Sequence, residues 1–109
     1  MRRNKYGNAK VMFQGIKFDS KRERDHYIIL KDREKRGEIS DLAIQVPIFL
    51  MGRDGPIRTP TGRRMYYKAD FVYRENGVAV VEDAKGFPTP EYKIKKAILL
   101  AQGVEIIEV

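Results

Sequence analysis

The 109-residue chain contains no cysteine, which excludes a disulfide framework, a thiolate zinc site and a cysteine nucleophile. It holds a single histidine, His26, so chemistry built on paired histidines has no basis either. No run of about 18 apolar residues occurs, which leaves nothing to span a membrane as a helix. Met1-Arg2-Arg3-Asn4-Lys5 leads into no apolar signal stretch. A soluble, cytoplasmic protein is expected, in which any chemistry falls to carboxylates and lysine.

Acidic residues are the scarcer charge, 15 Asp and Glu against 22 Lys and Arg, and the formal net charge of +7 favours a polyanionic partner. The length suits one domain with one modest core, so an active site has to share that core's scaffold. Residues 1–10 read as a flexible basic arm, or as a tail with no role, and residues 11–109 as the domain.

Val11-Met12-Phe13 and Ile16-Lys17-Phe18 flank Gln14-Gly15 and predict a small hairpin. A helix follows from about Lys21 to Arg36, with Asp19 or Ser20 as N-cap and Gly37 as the stop. Its inward stripe reads Tyr27 and Leu30, widened by Ile28 and Ile29, with Glu23 one turn before. Leu42 to Leu50 reads as a strand with Pro47 at a bulge or edge, and Gly52 to Arg64 as a loop carrying Arg53, Arg58, Arg63 and Arg64. Thr89 caps a second helix with Pro90 in its first position, and Ile94, Ala97, Ile98 and Ala101 are its expected buried face. The closing strand, Val104 to Val109, is expected to lie parallel to its partner because a helix precedes it. The fold class is therefore α/β, or α+β, with a mixed central sheet flanked by two helices.

The strongest local signal is Asn76-Gly77 between Tyr66–Arg74 and Val78–Lys85, the mark of a tight hairpin. If those two residues form the loop, Glu75 pairs with Val78, Asp70 lies opposite Asp83, and Lys68 lies opposite Lys85. Directly opposed side chains stand about 4.5–5.5 Å apart at Cβ, where like charges destabilise a sheet. A divalent cation would compensate, because hard Mg²⁺ prefers carboxylate oxygen and water. The alternative is a surface cluster in which Lys68 and Lys85 neutralise the aspartates. Apolar Val72 and Val81 on the same face argue against it. Glu82 turns to the opposite face and suits a salt bridge or a sheet-edge role. Glu23 has two readings: Ser20-Lys21-Arg22-Glu23 is a capping box, and Glu23 also faces inward.

Glu23 on a first helix, Asp70 on a strand, and Asp83-Ala84-Lys85 on the next resemble the signature of the PD-(D/E)XK nuclease superfamily. The order of elements is similar to that superfamily's restriction-endonuclease-like αβββαβ core from about Val11 onward. Lys5-Tyr6-Gly7-Asn8, Gly15 to Glu23, Ile39-Ser40-Asp41-Leu42 and Val81 to Gly86 resemble a small phage-encoded branch, related to Holliday-junction resolvases and mismatch-type endonucleases. Ala69 stands where the superfamily's name has proline, a position that varies widely.

The resemblance implies a Mg²⁺- or Mn²⁺-dependent endodeoxyribonuclease acting on branched or duplex DNA in phage recombination or DNA processing. Asp70, Asp83 and the Ala84 carbonyl would hold the metal, with Glu23 binding it directly or through water. Lys85 would orient the attacking water and stabilise developing phosphorane charge. Gln45, a polar residue in an apolar strand, is expected near the site or as a sheet-edge amide. Arg63, Arg64, Lys93 and Lys96, with Tyr92, are candidate DNA contacts, the lysines alternatively a solvated face. Symmetric cutting of a junction would need a homodimer. A nicking nuclease without structural preference and a non-catalytic nucleic-acid-binding module are the competing readings.

Overall fold

The computed structural model describes residues 9–84 and 88–109, so most of the expected basic arm, and Lys85 with Gly86 and Phe87, lie outside the described residues. In chain order the elements are β1 (Val11–Phe13), β2 (Ile16–Phe18), α1 (Lys21–Lys35), β3 (Ser40–Phe49), β4 (Met51–Gly52), β5 (Gly55–Pro56), β6 (Tyr66–Glu75), β7 (Val78–Asp83), α2 (Pro90–Ala101) and β8 (Ile106–Glu108). The main sheet has the order β3-β6-β7-β8. Its first three strands are antiparallel, and β8 runs parallel to β7 after the α2 crossover. The mixed sheet with two helices is the expected fold class.

Asn76 and Gly77 both take positive φ, 53° and 76°, which twists the turn in the sense the flanking strands require. The pairs Glu75↔Val78 through Phe71↔Glu82 keep the predicted register, and its next step sets Asp70 against Asp83. Each helix is capped as the sequence suggests: the Ser20 hydroxyl accepts from the Glu23 amide, and the Thr89 hydroxyl accepts from the Tyr92 amide.

The two helices cover opposite faces. Phe71 and Tyr73 of β6 pack with Phe18, Tyr27 and Leu30 on the α1 side, whereas Val72 and Val81 pack with Tyr92 and Leu99 on the α2 side. Strict alternation would put Tyr67 and Ala69 with Phe71, yet they join the α2 cluster. The reversal falls at Asp70. The β3–β6 ladder there runs from Ile44↔Phe71 to Val46↔Ala69, and the skipped Gln45 has φ of 52°. This kink lets β6 present a carboxyl group and two aromatic flanks to one end of the sheet.

Three expectations are corrected. Ile28 and Ile29 are 41% and 55% exposed, so the buried stripe of α1 is narrow: Glu23, Tyr27 and Leu30. On α2, Ile94 is 62% exposed, and Ala97 and Ala101 are exposed too. Tyr92 and Leu99, seven residues apart, are buried instead with Ile98 beside them. The helix turns to bury an aromatic whose hydroxyl donates to Glu108 Oε2 at 2.7 Å, and that contact outweighs the aliphatic stripe. Finally, the Gly52–Arg64 segment contains the β5 half of a two-stranded hairpin and an Arg58↔Arg64 bridge, not only loop. Among the described residues no helix is long and apolar enough to cross a membrane.

Candidate active site

A cleft of about 790 Å³ opens where the start of β6 and the residue following β7 meet the first turn of α1, the segment before β6 and the first turns of α2. Glu23, Asp70 and Ala84 line its acidic end, and five cationic side chains, Arg22, Arg63, Arg64, Lys68 and Lys95, surround it. Asp83 is fully buried, at 0% exposure. Asp70 is 8% exposed and Glu23 4%, so these carboxyl groups are buried and do not sit on the open surface.

Asp70 Oδ2 accepts from the Ala84 amide at 2.8 Å, and Asp83 Oδ2 accepts from the Tyr67 hydroxyl. Asp83 stands close enough to Asp70 for its charge and a hydrogen bond between them to favour the neutral Asp70 carboxyl. Loss of solvent is the main reason the Asp70 carboxyl is pushed up to about 7, and the charges of Glu23 and Asp83 add to it. The Ala84 amide pulls the other way, since it favours the ionised form. Glu23 is raised by burial first and by the charge of Asp19 next, against a hydrogen bond from the Asp19 backbone amide and the charge of Lys68. Burial and Asp83 raise the Tyr67 phenol, which keeps it a proton donor to that carboxylate.

Glu23 Oε1 is buried and has no hydrogen-bond partner among the described residues. An orphaned carboxylate oxygen beside two further buried carboxyl groups is the chemistry a hard divalent cation satisfies, so the residues fit such an ion. The arrangement is not a ready-made cage, because among the described residues no three His, Asp or Glu side chains converge closely enough to hold a metal.

Of the residues expected to meet DNA, Arg63 and Arg64 line the cleft, but Lys93, Lys96 and Gln45 do not. Gln45 turns away because of its positive φ, and its amide donates to the Lys17 carbonyl at 3.1 Å. Lys96 pairs with Glu108 at 3.5 Å. Lys95 reaches the cleft instead, because the rotation that buries Tyr92 carries its neighbours round with it. Tyr92 lines the cleft as part of the core and donates to Glu108 rather than standing free for phosphate. Arg53 pairs with Asp54, and Arg58 donates to the Gly62 carbonyl. Lys85 lies outside the described residues.

Sequence reasoning missed Tyr66, Tyr67 and Lys95 as site residues. Tyr67, three residues before Asp70, belongs by alternation to the opposite face, and only the kink at Asp70 brings its hydroxyl to Asp83. Glu82 is turned to the α1 face as expected, where it is buried and meets His26 Nε2 at 2.7 Å and the Tyr73 hydroxyl at 2.6 Å. Its strand is internal, so the sheet-edge alternative falls.

One family matches the sequence, over residues 3–107, under the description "Protein of unknown function (DUF1064)". No curated protein and no solved structure matches the chain.

Proposed function

The chain belongs to that DUF1064 family, whose description assigns no activity, and we propose from the chemistry of the cleft that the protein is a metal-dependent DNA endonuclease. One observation carries the reading: Glu23 and Asp70 line one end of a cleft edged by five cationic side chains, the fully buried Asp83 lies beside Asp70, and Glu23 Oε1 has no hydrogen-bond partner among the described residues. A structural cluster would match its buried charges internally, and a pure anion-binding surface has no use for them.

Glu23, Asp70 and Asp83 would hold the ion, joined by the Ala84 carbonyl as the resemblance implies. Mg²⁺ or Mn²⁺, when bound, supplies Lewis-acid activation of water and offsets the phosphate charge. Asp70 gives up its proton to act as a ligand, while Tyr67 holds Asp83 in one orientation. Arg63, Arg64, Lys68 and Lys95 draw the phosphodiester in and screen it. Lys85 takes the water-orienting role that the resemblance assigns it. The finer reading, a preference for branched DNA exercised by a homodimer in a phage setting, rests on the resemblance alone.

A second reading is a nucleic-acid-binding module without catalysis, favoured by the lack of a closed three-ligand cage among the described residues. One assay separates the two. Four-way junction, flap and linear duplex DNA are incubated with the protein in Mg²⁺ or in EDTA, for wild type and Asp83→Ala. The nuclease reading expects cleavage in Mg²⁺ only, lost in the variant with DNA binding kept or tightened. Cleavage that survives Asp83→Ala removes the site assignment, and equal cutting of all three DNAs removes the junction preference.

A further inference from the structure

Beside the carboxyl groups the cleft carries a second feature that catalysis does not use. Phe49 at the end of β3 and Tyr66 at the start of β6 are a cross-strand pair, with ring centroids 6.0 Å apart at 65°. Both are exposed, 36% and 45%, although large aromatic rings are normally drawn into a core. Each lies near a cation: the Arg64 guanidinium is 4.3 Å from the Phe49 centroid, and Lys95 Nζ, which pairs with Glu91 Oε1 at 2.9 Å, is 6.0 Å from the Tyr66 centroid. Tyr66, Arg64 and Lys95 all line the cleft.

The segment that presents Arg64 is held firmly. Thr59 N donates to Arg63 O at 2.8 Å, Met65 N to Ile57 O at 2.8 Å, and Leu50 N to Met65 O at 3.0 Å. The Arg58 guanidinium also donates to Gly62 O. The guanidinium plane and the two rings therefore stand preformed, and little ordering entropy is lost when a flat ligand stacks on them. Aromatic faces interleaved with cations, continuous with a groove of positive charge, suit a strand with unstacked bases. A base inside a duplex offers no such face.

We propose that Tyr66, with Phe49, Arg64 and Lys95, forms a stacking platform for an unpaired nucleobase of a DNA strand whose phosphates follow Arg63 and Lys68 toward the carboxyl groups. This rests on reading the cleft as a nucleic-acid site, and it names the substrate feature that site selects: an unpaired nucleotide next to the cleavage position.

The test measures binding by fluorescence anisotropy in EDTA, so it does not depend on cleavage. The probes are a single-stranded oligothymidylate, the same strand with abasic sites, and a blunt duplex. Tyr66→Ala, at an exposed position, should weaken binding of the thymidylate strand roughly five- to hundredfold, the range for one lost base–aromatic stack. It should leave the abasic strand and the duplex nearly unchanged, and Tyr66→Trp should restore the loss. Arg63→Ala should instead weaken every probe and reduce the salt slope on the single strand by about 0.7, a reduction that Tyr66→Ala does not produce. Equal weakening of thymidylate and abasic strands by Tyr66→Ala, or no weakening of either, overturns the platform while leaving the cleft a nucleic-acid site. Failure of every probe to bind wild type overturns both.

Discussion

Glu82 and Asp83 are neighbours on one strand, both buried, and they face opposite worlds. Glu82 points to the α1 side, where His26 and the Tyr73 hydroxyl each take one of its oxygens and Arg33 lies 6.0 Å from the Tyr73 ring. Asp83 shares its side with Asp70, whose carboxyl burial and then the charges of Glu23 and Asp83 push toward the neutral form, and with Glu23 Oε1, which has no hydrogen-bond partner among the described residues. The first carboxylate has both oxygens hydrogen-bonded within the fold. The second sits beside Glu23 Oε1, a buried oxygen that no donor among the described residues reaches. Burial alone therefore does not distinguish a structural acid from a functional one; the distinction lies in whether its partners complete it.

Exchanging the two acids should break the comparison most sharply. Asp83→Ala should lower cleavage by more than the roughly 10–100-fold typical of losing an outer partner of a metal ligand, measured on protein that urea unfolding shows to be folded, because the variant also strands the buried Tyr67 hydroxyl. Glu82→Ala should do the reverse. It strands a buried tyrosine hydroxyl and the His26 ring, and should lower stability by about 2–3 kcal/mol, read from urea unfolding. If Glu82→Ala abolishes cleavage without loss of stability, or folded Asp83→Ala cleaves like wild type, the division between the faces is wrong.

The pH dependence of stability sharpens the same contrast. Asp70 has its folded-state pKa raised from 3.8 to about 7, so the folded chain holds a proton that the unfolded chain has released across that interval. Its contribution is fully present below about pH 4 and is lost as pH rises through about 7, with a slope of at most about 1.4 kcal/mol per pH unit. Asp70→Asn should flatten the metal-free stability curve between those limits relative to wild type. Mg²⁺ binds the ionised form, so it should raise the melting temperature of wild type more at pH 8 than at pH 5 and do little for the variant. An identical Mg²⁺ increment at both pH values would separate Asp70 from the ion.

How much of this is legible in the sequence follows from how local each cause is. Asn76-Gly77 sets the hairpin register by itself, because both residues tolerate positive φ, and that register brings Asp70 to Asp83. The caps at Ser20 and Thr89 are equally local. The buried face of α2 is not, since Ile94 and Ala97 fit the helical period as well as Tyr92 and Leu99 do. The choice among them depends on Glu108, on a strand that follows the helix, accepting from the Tyr92 hydroxyl. Lys95 is brought to the cleft, and Lys93 and Lys96 are kept from it, by that same rotation. Tyr67 was hidden by a kink that breaks the period-two rule at Asp70, a position where the pattern itself gives no sign of a break.

Glu23 offers the finest discrimination, because the sequence supports both a capping and a ligating role and the chain divides them between backbone and side chain. The Glu23 amide donates to Ser20 Oγ at 3.1 Å, which completes the cap from the backbone. Its carboxylate accepts from the Asp19 amide, and Oε1 is buried without a partner among the described residues. Glu23→Gln keeps the backbone cap and removes a charge that burial and Asp19 disfavour. The metal-free variant should therefore change in stability by less than about 1 kcal/mol, and upward, whereas losing a cap costs about that much in the opposite direction. Mn²⁺ affinity, measured by electron paramagnetic resonance, should fall in the same variant. A destabilised variant with undiminished Mn²⁺ affinity would make Glu23 a capping residue only and leave the aspartate pair to hold the ion without it.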